Sequence, residues 1–200
     1  YTVPNIKAIA QQADGKIYLG GTFSMYNGGP ENNIIRINPD GTIDTVFNTG
    51  SGFNGTVNNI LIRPNGSILV SGEFTTYNGN SCIGLAILYN NGFGSPYSSS
   101  TISYGVKAIK YQNDGKLLVA KSGLGSLYRY INSTTIDTSF ALDSSITSPT
   151  WGSIDVQQDN KILIQGTFTV GGVQKSLLRL LSNGSIDSTF NFQGQSITYV

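Results

Sequence analysis

Apolar and polar positions alternate in short runs along the whole chain, and the runs return at a nearly constant interval. "NIKAIAQ" (5–11) and "KIYLGGTF" (16–23) are alternating or β-branched segments, and "ADGK" between them is an Asp-Gly hairpin signal. A polar loop follows, "SMYNGGPENN" (24–33), then "IIRIN" (34–38), the turn "PDG" (39–41) and "TIDTVF" (42–47). The pattern predicts strand, turn, strand, loop, strand, turn, strand, which is a four-stranded antiparallel meander. No segment keeps an apolar spacing of 3.6 residues for long enough to predict a helix.

The first of these strings repeats without gaps. "KAIAQQADGKIYLGGTF" (7–23) returns as "NNILIRPNGSILVSGEF" (58–74), "KAIKYQNDGKLLVAKSG" (107–123) and "GSIDVQQDNKILIQGTF" (152–168). The offsets, roughly 51, 49 and 45 residues, lie in the range of propeller blades. A lone four-stranded sheet cannot cover its own apolar faces, so neighbouring copies must stack on it. A β-propeller does this radially and leaves only short edges. A linear β-solenoid is the rival architecture, but its repeats are usually shorter. The expectation is therefore all-β: a β-propeller, or an arc of one, built from four-stranded antiparallel blades of about 45–51 residues. The chain reads as one repeat domain with blades at 1–53, 54–104, 105–148 and 149–196, and with "SITYV" (196–200) beginning a further strand. Four copies form either a small complete ring or part of a larger one. A start at Tyr1 rather than Met reads as a piece of something longer.

"QADGKIYLGGTF" followed by "RINPDGTIDTVF" resembles the delta-60 repeat family. That resemblance implies a propeller-like fold, an occurrence in bacterial secreted or surface proteins and in phage virion proteins, and no enzyme activity attached to any residue. It covers most of the chain and is specific in the first and fourth units. The third unit has "AKSG" in place of "GGTF", and the second has "YNNGFGSPY" where the Ile-Asp string belongs.

The string "RINPDGTIDTVF" (36–47) itself returns as "RYINSTTIDTSF" (129–140) and "RLLSNGSIDSTF" (179–190). Asn-Pro-Asp-Gly suits a type I turn followed by a bulge, with Gly41 in the left-handed position. Counted outward from that turn, Asn38 opposes Thr42, Ile37 opposes Ile43 and Arg36 opposes Asp44. The same count pairs Arg129 with Asp137 and Arg179 with Asp187. Opposed residues share a sheet face. The expectation is that the isoleucines enter the core and the charges meet on the other side. In the second unit the two charged positions read Ile87 and Ser95, so both charges vanish together, as a structural pair requires. Phe47, Phe140 and Phe190 close the motif as packing between blades.

Composition narrows the chemistry. Twelve percent of residues are charged, the net charge is +1, and there is no histidine. Nothing here builds the basic field that nucleic acid needs, or a basic cluster for a membrane surface. A Ser-His-Asp site is excluded, and the commonest metal ligand is missing. No cofactor is expected: glycine-rich strings such as "YNGG" lack the following helix and lysine of a phosphate loop. The Asp-Gly turns lack the dense oxygen ligands of a calcium loop. Cys82 stands alone and reads as a buried thiol, and Trp151 reads as core. Acidic residues outside the repeated positions include Glu73 and Asp155, and a propeller hydrolase or lyase would have to use one of them.

What remains is a non-enzymatic scaffold or recognition module of a phage virion or bacterial surface, extracellular and not inserted in a membrane. Its partners are protein subunits or a surface glycan, and a purely architectural role in an assembly is the alternative. Variable loops on a repeated scaffold are where specificity usually lives. Tyr26 and Tyr77 are candidates to stack on a sugar face, and Asn27, Asn78 and Asn80 to bond its hydroxyls.

Overall fold

The computed structural model describes residues 5–97, 102, 105–122 and 125–192. The segment "SITYV" lies outside them. Every regular element among the described residues is a strand. The chain divides into two compact units, Tyr1–Val106 and Lys107–Val200, each holding two blades.

In the first unit β1 (Asn5–Gln11), β2 (Ile17–Thr22), a small hairpin of β3 (Met25–Tyr26) and β4 (Gly29–Pro30), and β5 (Ile34–Ile37) form the first blade. The second contains β6 (Thr56–Ile62), β7 (Ile68–Glu73), the hairpin β8 (Thr76–Tyr77) and β9 (Asn80–Ser81), β10 (Leu85–Leu88) and β11 (Gly94–Pro96). In the second unit β12 (Val106–Tyr111), β13 (Leu117–Lys121) and β14 (Leu127–Tyr130) make the third blade. The fourth comprises β15 (Ile146–Val156), β16 (Ile162–Val170) and β17 (Val173–Leu180). The sheet orders are β1-β2-β5, β6-β7-β10-β11, β12-β13-β14 and β15-β16-β17, all meanders.

The fourth strand is shorter than the sequence pattern suggests. In the first, third and fourth blades it contributes a single bridge, Ile37 to Ile43, Tyr130 to Ile136 and Leu180 to Ile186. The chain then turns: Phe47, Phe140 and Phe190 donate their amides to the carbonyls of Asp44, Asp137 and Asp187. Only the second blade, without the aspartate, continues pairing as a strand, from Leu88–Gly94 to Ala86–Pro96.

A bulge recurs in the first strand of three blades, at Lys7, Asn58 and Gly152. It explains a repeated glycine. A Cβ on Gly21, Gly72 or Gly166 would overlap the carbonyl oxygen of Asn5, Thr56 or Thr150 respectively. The bulge drives first-strand backbone onto the second strand, and only hydrogen fits between them. In the third blade the position is Lys121, whose ammonium lies 4.6 Å from the centre of the Tyr128 ring.

Each blade has a front and a back face, and within a unit the front of one packs on the back of the next. The front of the first blade presents Ala8, Tyr18 and Ile34; the back of the second presents Ile60, Val70, Ile68, Ala86 and Leu88, and these form one buried cluster. In the second unit Ala108, Leu118, Ala120 and Leu127 meet Ile154, Ile162, Ile164, Leu178 and Leu180 in the same way. Trp151 joins this second core, edge-on to Phe168 at 5.5 Å. Cys82 is buried in the first, its thiol pushed up to about 11 by burial. Neighbouring blades thus supply the apolar cover that one sheet lacks.

Because backbone cannot yield as a side chain does, Gly72→Ala is expected to lower unfolding stability by about 3 kcal/mol, the upper part of the overpacking range. Urea denaturation of that variant against the parent chain measures it.

Candidate functional site

The recurring charged strings converge on one arrangement, seen three times. Asp44 Oδ2 accepts hydrogen bonds from Arg36 Nε (2.7 Å) and Lys16 Nζ (2.9 Å), and its Oδ1 accepts the Val46 amide. Asp137 Oδ2 takes Arg129 Nε and Lys116 Nζ, both at 2.9 Å, while Oδ1 takes the amide and hydroxyl of Ser139. Asp187 repeats this with Arg179 (2.9 Å), Lys161 (3.3 Å) and Thr189. Phe47, Phe140 and Phe190 lie under the three guanidinium groups, with ring centres 5.0, 4.9 and 4.7 Å from the carbon.

Spacing alone does not reveal the lysine, because it comes from the first hairpin of the blade. A signal for it does exist. In the second blade, where arginine and aspartate are Ile87 and Ser95, the lysine position is Ser67, so three charges disappear together.

The facing of the pair needs correction. In the first blade Arg36 is fully buried (0% of its side chain exposed) and Ile37 and Ile43 are only half-buried. The charged face is the front, which the next blade covers. The fourth blade shows the order first expected: Leu180 is buried and Arg179 is 18% exposed. In the third blade both positions are buried, Arg129 on the front and Tyr130 on the back.

The arginines also reach across to the following blade. Arg36 Nη1 donates to Tyr18, to Gln12 Oε1 (3.5 Å) and to the side-chain oxygen of Asn90. Arg129 Nη1 donates to Gln112 Oε1 (3.3 Å) and to the Ser182 carbonyl. Ser182 is aligned with Asn90 and is shorter, and beside it an open cleft of about 440 Å³ lies between the third and fourth blades. Gln112, Ser139, Asn160, Ser182 and Asn183 line it together with two acids, Asp114 and Asp159, and two bases, Lys116 and Arg129. The charges balance, so the cleft offers hydrogen bonds without a net field.

The carboxyls at the nodes stay ionised. The hydroxyls of Ser139 and Thr189, then the neighbouring amides and cations, hold Asp137 and Asp187 well below the usual range. Burial works against Asp44, but Lys16, the Val46 amide and Arg36 outweigh it and hold that carboxyl low as well.

The tyrosines and asparagines proposed as loop contacts occupy structural positions. Asn27-Gly28 and Asn78-Gly79 have positive φ (47° and 83°, 46° and 76°), the pattern of a type I′ hairpin turn. Tyr77 does not present a sugar face: its ring is buried 4.6 Å from Phe53 and its hydroxyl donates to the Gly92 carbonyl. Half-buried Tyr26 donates likewise to Gly41. Asn78 donates its amide to Gly52 and accepts from the Ser51 amide, and Asn80 donates to the Asn78 carbonyl. In the second blade the hairpin straps the linker between blades. Asn27 is exposed at its turn. Glu73 is exposed at the end of β7. Asp155 accepts from Lys110 Nζ at 2.6 Å. Among the described residues no group of three potential metal-binding side chains is present.

Removing one member of a buried pair strands the other. Asp44→Ala should therefore cost roughly 3 kcal/mol. The triple change Lys16→Ser, Arg36→Ile and Asp44→Ser, which copies the second blade, should cost less than the single one; thermal melts of both variants test the order. Folded carboxyls titrating below the ~3.9 of an unfolded aspartate leave the unfolded chain binding protons first as pH falls. The contribution of the nodes is complete above about pH 4 and is lost as pH drops below it. Melting temperature followed from pH 7 to pH 2 should be level, then fall, and fall less steeply in the triple variant.

Solved structures of low identity share this architecture. The chain superposes on streptogramin B lyase with a TM-score of 0.56 at 15% identity, covering 92% of this chain and 58% of that one. For virginiamycin B lyase from Staphylococcus aureus with quinupristin the TM-score is 0.55 at 15% identity, with 90% and 57% covered. For PorZ, an essential bacterial surface component of the type-IX secretion system of Porphyromonas gingivalis, it is 0.54 at 14% identity, with 91% and 26% covered. The chain spans less than two thirds of each of these proteins, and likeness at such identity shows the fold alone. No curated protein matches the chain. Residues 12–47, 63–92 and 157–190, together half of its length, match the family model described as domain of unknown function (DUF5122) beta-propeller, and the chain belongs to that β-propeller family.

Proposed function

We propose that the chain is a non-enzymatic recognition and scaffold module of a bacterial surface or phage virion assembly. In this reading the cleft between its third and fourth blades takes an uncharged, polyhydroxylated ligand such as a surface glycan. The observation that carries the reading is the lining of the cleft, where side-chain amides and hydroxyls stand among two acids and two bases. A glycosidase acid must hold its proton near neutral pH, with its pKa raised. Here Asp40, Asp44, Asp137, Asp143, Asp155, Asp159 and Asp187 are all lowered. Asp155, a candidate for hydrolysis, is held ionised first by its bond from Lys110. Glu31 is raised by partial burial, but it belongs to the connection after β4 and does not line the cleft.

The cleft suits a neutral polar ligand because its acids and bases cancel while its amides and hydroxyls remain. The likeness to delta-60 repeats, which occur in secreted, surface and virion proteins, supports the location, as does the likeness to a secretion-system surface component. No helix among the described residues is long and apolar enough to cross a membrane.

Ser182→Trp fills the cleft without removing the main-chain bond to Arg129. Screened on a glycan array, the parent chain should bind a saccharide, and this variant should lose at least tenfold in affinity with unchanged melting. Silence of the parent chain on every sugar, with binding to its own particle intact, would replace glycan recognition by a purely architectural role.

A further inference from the structure

The first and second blades meet as the third and fourth do, so the two junctions can be compared position by position. Gln112, Asp114, Lys116, Arg129 and Asn183 of the cleft align with Gln12, Asp14, Lys16, Arg36 and Asn91 and belong to the shared scaffold. The other four differ: Ser139, Asp159, Asn160 and Ser182 stand where the first junction has Val46, Asn65, Gly66 and Asn90. The first junction packs without them, so the scaffold does not require them. Two of the four clear and polarise the space. Ser182 is shorter than Asn90, whose side chain reaches Arg36, and Ser139 adds a hydroxyl that accepts from Arg129 Nη2 at 3.2 Å.

Asn160 does something else. It holds the left-handed conformation (φ 62°) that Gly15, Gly66 and Gly115 supply in the other three blades, where a side chain is a steric cost. Its side chain offsets that cost by crossing to the third blade: Oδ1 accepts the Asn113 amide at 3.0 Å. Asn113 Nδ2 in turn donates to the carbonyls of Gln157 and Gln158, both at 3.1 Å. The aligned Ala13 and Gly66 have no side-chain groups for such a tie. The tie sets the first hairpin turns of the third and fourth blades side by side. Asp114 and Asp159, each next in the chain to a member of the tie, are thereby fixed together at the cleft.

The charges of the cleft are equal in number but not mixed. Asp114 and Asp159 are 44% and 55% exposed, at the mouth, whereas Arg129 is 7% exposed, at the floor. One oxygen of each acid accepts the amide of Lys116 or Lys161. The other faces the same lysine's ammonium at 3.6 or 3.5 Å, too far for a good hydrogen bond, and keeps lone pairs for a ligand. An incoming molecule meets two carboxylates before it meets the arginine. A neutral sugar can donate hydroxyls to them in charge-assisted bonds. A sugar carboxylate brings only acceptors and a like charge. We propose that Asp114 and Asp159 are the specificity-determining residues of the cleft, admitting saccharides built of neutral sugars and turning away those that carry sialic or uronic acid. The proposal rests on the glycan reading given above.

The probes are neutral oligosaccharides and oligosaccharides ending in sialic or glucuronic acid, printed on one array and offered to the parent chain and to the double variant Asp114→Asn, Asp159→Asn. Both side chains are exposed, and asparagine keeps the oxygen that accepts the turn amide, so the two melting curves should coincide. The parent should bind neutral saccharides alone. In the variant Lys116 and Arg129 are the only charges left lining the cleft. It should lose about tenfold on the neutral set and gain about tenfold on the acidic one, the order expected when one charge–charge interaction near a protein surface is altered for each carboxylate removed. A variant that still prefers neutral saccharides, or that binds neither set, overturns the proposal. So does a parent chain that binds the acidic set, which would leave the cleft a glycan site that selects on another basis. A parent silent on both sets overturns the glycan reading and this inference together.

Discussion

A carboxylate shared by an arginine and a lysine, pressed against the face where one blade meets the next, organises this molecule. Burying a guanidinium is costly unless its donors are met. Asp44, Asp137 and Asp187 each meet two cations with one oxygen and cap the following turn with the other. The capping has a topological consequence. Once Oδ1 accepts the amide two residues on, the chain leaves the ladder, and the fourth strand ends after one bridge. The second blade has Ser95 at this position and keeps a three-residue strand. The same residue therefore sets charge balance, strand length and the place of the phenylalanine that packs beneath the arginine.

Packing between blades follows from that arrangement and from the bulged first strands. Glycine opposite the bulge lets β1 and β2, β6 and β7, and β15 and β16 stay paired while the first strand kinks. The front face then meets the next back face with its arginine reaching over to the neighbouring turn. Apolar contact supplies most of the driving force, being proportional to area. The arginine's cross-blade bond adds a directional, charge-assisted contact to it. On the front of the fourth blade Gln157 Oε1 is buried without a hydrogen-bond partner and Arg179 is 18% exposed.

In the first two blades the connections between second and third strands are tied into the scaffold. Tyr-Asn-Gly forms a tight hairpin whose tyrosine anchors onto a turn of its own blade, Tyr26 on Gly41 and Tyr77 on Gly92. Asn54 and Asn78 then stitch the inter-blade linker to the hairpin of the second blade. Variation among these loops is therefore partly variation in how blades are strapped together. The fourth blade does without the separate hairpin: β16 and β17 run on past a bulge to the Gly171-Gly172 turn. Such differences change the outline of a blade edge while leaving the sheet meander alone.

The sequence by itself determined the first three strands of each blade, the four-fold repetition and the opposition of Arg36 to Asp44, because these depend on local alternation, turn chemistry and counting outward from a glycine of fixed conformation. The crossing from Arg129 to Ser182 and the burial of Tyr77 were decided by tertiary structure alone, and the lysine at each node shows in the sequence only as a charge lost with the other two in the second blade. They join segments from different hairpins or different blades, and no spacing along one strand encodes such a meeting. Which side of the sheet lies inside was also a tertiary decision. Alternation says that two faces differ, but only packing against an adjacent blade removes a face from water.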